Sequence, residues 1–94
     1  MSLRNLQALG VADILLDLLA NGPAQKADLR RRTGLSWSTI HRAHKILFDA
    51  GMLAIDPHPD LLVFMLSESG TKVAESLRQA VVDWDDAARD TAPE

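Results

Sequence analysis

No cysteine occurs among the 94 residues, which excludes disulfide scaffolds, thiolate zinc sites, redox CxxC chemistry and cysteine nucleophiles. Long apolar runs are missing as well. Stretches such as Ile14 to Leu16 and Leu61 to Leu66 fall far short of the roughly 20 residues that a membrane-spanning helix needs. The first residues show no basic stretch followed by a long apolar one, as an export signal would, so a cytoplasmic protein without a membrane partner is expected. No GxSxG elbow, no glycine-rich phosphate loop and no acid–base pair beside an evident pocket can be found, which predicts that the protein is not an enzyme. Internal repeats, low-complexity tracts and dividing linkers are also absent. A chain of this length suits one domain, expected to span residues 1–94. It buries only about two thirds of the surface of its unfolded form, so self-association is an expected supplement.

What is present is ordinary globular composition, 47% hydrophobic and 24% charged, with the charge unevenly spread. The formal net charge of -3 has the wrong sign for a nucleic-acid binder until it is divided along the chain. Residues 22–48 carry Lys26, Arg30, Arg31, Arg32, Arg42 and Lys45 against Asp28 alone, a balance of +5. Residues 49–94 carry three basic residues against ten acids, a balance of -7. Phosphate contacts require positive charge on one surface, not a basic total, so a concentrated cationic segment in an acidic chain marks a local anion-binding face. The plainer alternative is a solvated face of Lys and Arg.

Val11, Ile14, Leu15, Leu18 and Leu19 recur at helical spacing and predict a first helix. Asn21-Gly22-Pro23 ends it near Ala20, with glycine suited to the cap and proline unable to continue. Leu9, Leu16 and Leu19 fall away from the Ile14/Leu18 face, so this helix must be covered on more than one side. Lys26 to Arg32 reads as a short second helix with Leu29 and Ala27 inward and Asp28 near the positive end of the dipole. Thr33-Gly34 breaks it, and Ser36 is a good N-cap for a third helix over Trp37 to Ala50, ending at Gly51. On that helix Ile40, Ala43, Leu47 and Gly51 share one face, and Ser38, His41, Arg42 and Lys45 share the opposite one.

After Gly51 the pattern changes. Met52 to Ile55 and Leu61 to Leu66 flank the turn-forming Asp56-Pro57-His58-Pro59-Asp60 and predict a β-hairpin. Ser67 is a suitable N-cap for a last helix running to about Arg89, although Gly70 in its first turn weakens the start. Val73, Leu77, Ala80, Val81, Trp84 and Ala88 form a narrow apolar stripe suited to a helix–helix seam, in which Trp84 is expected to be buried. Residues 90–94 are expected to fray.

A second helix, a short turn with glycine and a third helix with a polar outer face constitute a helix-turn-helix. The Thr33-Gly34-Leu35-Ser36 turn, Ser38-Thr39-Ile40, Arg42, the Ala50-Gly51-Met52-Leu53 exit and Leu66-Ser67-Glu68-Ser69-Gly70 together resemble a winged helix-turn-helix of the MarR/ArsR/PadR-like transcription regulators. The resemblance covers about residues 12 to 77. It implies a mainly α fold with a small β-hairpin, ordered α-α-α-β-β-α, a core over about 11–77 and a long C-terminal helix over about 68–89 that serves dimerisation. It also implies double-stranded DNA as partner, with helix 37–50 in the major groove.

Carried over by position, the DNA-facing set is Lys26, Arg30, Arg31, Ser36, Trp37, Ser38, Thr39, His41, Arg42 and Lys45. Arg42 can donate two hydrogen bonds to a guanine edge, Lys45 suits a phosphate, and Lys26, Arg30 and Arg31 suit the backbone. Thr39 either meets DNA or helps to cap and pack, and Trp37 either stacks on the second helix or meets DNA. Pairing across a two-fold axis is expected through Leu9, Leu16, Leu19, Val73, Leu77, Val81, Trp84 and Ala88.

Two positions depart from the family pattern. The wing tip is acidic where the family offers Arg or Lys, so little wing contribution is expected. Position 44, commonly leucine, is His44, expected as a partly buried, hydrogen-bonded residue, with a pH-sensitive element or a ligand contact as alternatives. His41 and His44 lie one helical turn apart with His58 as the sole further histidine, too few convergent ligands for a metal sensor. No metal or cofactor is therefore expected. Asp83-Trp84-Asp85-Asp86 reads as an exposed acidic face, not a cation site. A winged-helix protein–protein interaction module without DNA binding is the competing function, and a repressor answering to a small-molecule effector is a third.

Overall fold

The computed structural model describes residues 7–57 and 62–91, with the backbone alone at 56, 57, 90 and 91. The elements are α1 (Val11–Asn21), α2 (Lys26–Thr33), α3 (Trp37–Asp49), β1 (Leu53–Pro57), β2 (Leu62–Leu66) and α4 (Glu68–Thr91). This is the expected α-α-α-β-β-α order, with a small hairpin and a long C-terminal helix.

The core is built around α1, which touches α2, α3, β2 and α4. Its Val11, Ile14, Leu15 and Leu18 are buried, and the Gly22 N–H closes the helix on the Leu18 carbonyl at 2.9 Å. Coverage from several sides accounts for much of its nearly all-round apolarity: Leu19 packs against the core and Leu16 is half-buried. Leu9, ahead of the helix, remains 70% exposed.

In α2 the Asp28 carboxylate accepts the Gln25 backbone N–H at 3.2 Å, satisfying a donor that the first turn leaves unpaired. Leu29 is buried. Ala27, expected beside it, is exposed, because residues two apart lie about 200° apart on a helix and cannot both face one core. The turn that follows is tied by Thr33, whose hydroxyl donates to the Leu29 carbonyl (2.6 Å) and accepts the Leu35 N–H (3.3 Å). Gly34 turns the chain at φ 74°, a left-handed conformation that strains any residue with a β-carbon.

Ser36 caps α3 as its sequence position predicts, its hydroxyl oxygen accepting the Thr39 N–H at 3.2 Å. Ile40, Ala43 and Leu47 are fully buried. The helix ends with paired bonds from Met52 N–H to the Leu47 carbonyl (2.9 Å) and from Gly51 N–H to the Phe48 carbonyl (3.0 Å), a Schellman closure. β1 and β2 then pair antiparallel, from Leu53 opposite Leu66 to Pro57 opposite Leu62. Periodicity misses one feature: Ala24, between α1 and α2, pairs with Phe64 through two bonds of 2.9 and 2.7 Å. A single residue has no alternation to read. The hairpin tip at His58, Pro59 and Asp60, on which the expectation about the wing rests, lies outside the described residues, as do Leu61 and 92–94.

At the start of α4 the Ser67 hydroxyl accepts the Gly70 N–H (3.0 Å) and donates to the Gly51 carbonyl (2.6 Å). Gly70 is buried, and a β-carbon there would land on the Met52 carbonyl oxygen. The residue that weakens the helix by propensity is thus what allows α4 to cross the end of α3. Ala74, absent from the predicted stripe, is fully buried, and Val73 and Leu77 pack against the core. From Arg78 to Arg89 every residue is exposed. Trp84, expected to be buried in a seam, is 76% exposed in the single chain, because no other described element covers that half of the helix. The helix continues to Thr91, beyond the expected end.

Candidate nucleic-acid interface

The outward face of α3 is opposite Ile40, Ala43 and Leu47. Ser38, His41, Arg42 and Lys45 are exposed there, spaced so that one helical face presents all four. Asp49 is exposed too, four residues beyond Lys45 on that face, so the cationic part is confined to the earlier turns. At the start of the helix the three hydroxyls interlock. Ser36 Oγ donates to Thr39 Oγ1 at 2.9 Å and lies 3.2 Å from Ser38 Oγ. Thr39 is half-buried and engaged in this cap.

The basic residues of the +5 segment have separate fates. Arg32 Nη2 donates to Asp17 Oδ2 on α1 at 2.8 Å, with Nε at 3.1 and 3.2 Å from the two carboxylate oxygens. Its side chain is 28% exposed and that of Asp17 only 9%. The hydrogen bond to Asp17 is the main cause holding Arg32 above the usual arginine range, and the pair fastens α2 to α1. Arg31 Nη2 pairs with Asp28 at 3.1 Å on the exposed side of α2. Lys26 is half-buried, its Nζ 5.9 Å from the centre of the Phe64 ring. The Arg30 guanidinium carbon stands 5.1 Å from the centre of the Trp37 ring, which is within cation–π range. Both line a shallow groove with Arg31, Gly34 and Ser36. Among the described residues no carboxylate lies within ion-pair distance of Arg30, Arg42 or Lys45.

Behind this face stands His44, which corrects one expectation. The imidazole is partly buried, but neither ring nitrogen meets a hydrogen-bond partner among the described residues. Its ring instead meets Phe64 edge-on at 4.5 Å and tilts against Phe48 at 6.2 Å and His41 at 6.4 Å. Burial pushes its pKa below the ordinary 6.5; Lys26 and His41 add to the effect and Asp49 opposes it. The family resemblance located this residue but not its partners, because Phe64 reaches it from a strand twenty residues away. No group of three His, Cys, Asp or Glu side chains among the described residues could hold a metal ion. No described helix is long and apolar enough to cross a membrane.

No protein-family model and no curated protein sequence matches the chain. Solved structures do. The fold is similar to that of a MarR family regulator from Neisseria meningitidis, with a TM-score of 0.75 at 17% identity over 90% of this chain and 62% of that one. A MarR transcriptional regulator from Methanosarcina mazei gives 0.77 at 18%, over 90% of this chain and 58% of that one. A transcriptional regulator from Thermotoga maritima gives 0.72 at 22%, over 97% and 68%. The chain thus spans about three fifths of the length of the first two. With the helix-turn-helix, the hairpin and the long last helix all in place, these likenesses establish that the chain has the winged helix-turn-helix fold of such regulators.

Proposed function

We propose that the protein binds double-stranded DNA in a sequence-specific manner as a homodimeric transcriptional regulator, with α3 in the major groove. The observation that carries this reading is the exposed face of Ser38, His41, Arg42 and Lys45, whose two cations have no carboxylate partner among the described residues. A cationic helix face that no described residue covers or neutralises is suited to a polyanion, and a major groove admits one helix of this width. The solved structures of like fold include regulators of transcription, which supports the same class of role. In this reading Arg42 meets a guanine edge and Lys45 a phosphate, while Arg30 and Arg31 hold the backbone.

Titration of mixed-sequence duplex DNA at two salt concentrations tests it, since neutralising phosphates releases counterions and binding must weaken steeply with salt. Absence of salt-dependent binding would refute the reading. Arg42→Ala is expected to cost about 1–3 kcal/mol on a selected sequence and to relax preference at one base pair. An equal loss on every duplex would reassign Arg42 to a phosphate.

A further inference from the structure

Three consecutive arginines lie in the last turn of α2, and each is held differently: Arg32 by Asp17, Arg31 by Asp28, and Arg30 by the face of Trp37. Among the described residues Arg30 alone of the three has no carboxylate partner. Trp37 is 49% exposed although it occupies the first turn of α3, and the polar and cationic face of that helix begins one residue later. A flexible exposed arginine loses much side-chain freedom when it grips a phosphate. An aromatic ring that already holds the guanidinium in place removes part of that loss while leaving its charge unneutralised.

We propose that Trp37 is a positioning residue for DNA binding: its ring holds the Arg30 guanidinium ready for a backbone phosphate, and it reads no base. This rests on the DNA-binding reading above and deepens it by giving the exposed aromatic of the site a role distinct from base recognition. The stack joins the last turn of α2 to the first turn of α3 across Gly34, so it also sets the phosphate contact in register with the helix that enters the groove.

The test is a double-mutant cycle on two unrelated fluorescently labelled duplexes, with affinity followed against salt for the wild type, Trp37→Leu, Arg30→Ala and the double variant. Arg30→Ala is expected to reduce the slope of log affinity against log salt by about one. Trp37→Leu is expected to weaken binding roughly two- to fivefold, equally on both duplexes. In the Arg30→Ala background the same Trp37 substitution is expected to cost nothing further. Trp37→Phe, which keeps an aromatic face, should retain most of the affinity and controls for a folding defect. A Trp37 effect that persists undiminished without Arg30 would overturn the positioning role, and one that differs between the duplexes would make Trp37 a base contact. Failure of the wild type to bind either duplex would instead overturn the DNA-binding reading itself, and the inference with it.

Discussion

His44 offers two nitrogens to a site in which neither meets a partner among the described residues. A buried polar group in that condition destabilises the fold by the cost of its lost water, about 1–3 kcal/mol. Its pKa lies below 6.5 chiefly through burial. The folded chain therefore resists a proton that the unfolded chain accepts near 6.5, so the unfolded state binds more protons as the pH falls past that value. Stability is fully present above it and declines below it. His44→Leu is expected to raise stability at neutral pH by roughly 1 kcal/mol. It should also flatten the decline between about pH 7.5 and pH 5.5, measured by urea denaturation at both values. An unchanged difference between the two pH values would assign the decline to other groups. The resemblance to winged-helix regulators placed His44 at a core-facing position, one commonly occupied by leucine. Its missing hydrogen bonds could not be read there, because they depend on what β2 brings against it.

The elements were legible wherever local chemistry decides. Ser36 caps α3, Gly34 makes the turn, and Ser67 caps α4, all by interactions within a few residues. The pattern fell short where a second element intervenes. Gly70 reads as a poor helix residue, yet it is the point at which α4 meets the Met52 carbonyl. Alanine would favour the isolated helix by about 1 kcal/mol. In the folded chain the added carbon overlaps backbone, which no rotamer change relieves. Gly70→Ala is therefore expected to destabilise by about 2–3 kcal/mol despite its better helix propensity, seen as a lower melting temperature. A neutral or raised melting temperature would contradict the close approach. Ala27 illustrates the opposite error, an apolar residue assigned inward on identity alone when Leu29 had already taken the buried side of a short helix.

For the molecule as a whole, the distribution of burial is lopsided. The described residues extend 55 Å along the longest axis against 25 and 21 Å across, and a 24-residue helix accounts for about 36 Å of such a length. The second half of α4 carries Val81, Val82 and Trp84 in the open, and Leu9 is open as well. In the proposed dimer Leu9, Val81 and Trp84 pair across a two-fold axis and set the recognition helices about 34 Å apart, one turn of duplex. Light scattering is expected to give twice the 10.3 kDa chain mass at micromolar concentration. Trp84→Glu, by placing a charge in the seam, should shift the population to monomer and weaken DNA binding through loss of the second half-site. A monomeric wild type would remove the dimer.

By itself the sequence determined the order of elements, the caps, the buried face of α3 and the cationic segment that includes it, because each follows from periodicity, turn chemistry or formal charge within a short stretch of chain. Only the tertiary structure decided which of those charges remain available. Arg32 is fastened by Asp17 from α1 and Arg30 lies on Trp37 from α3. An ion pair or a stack between separate elements depends on how they pack, and no local pattern encodes that distance.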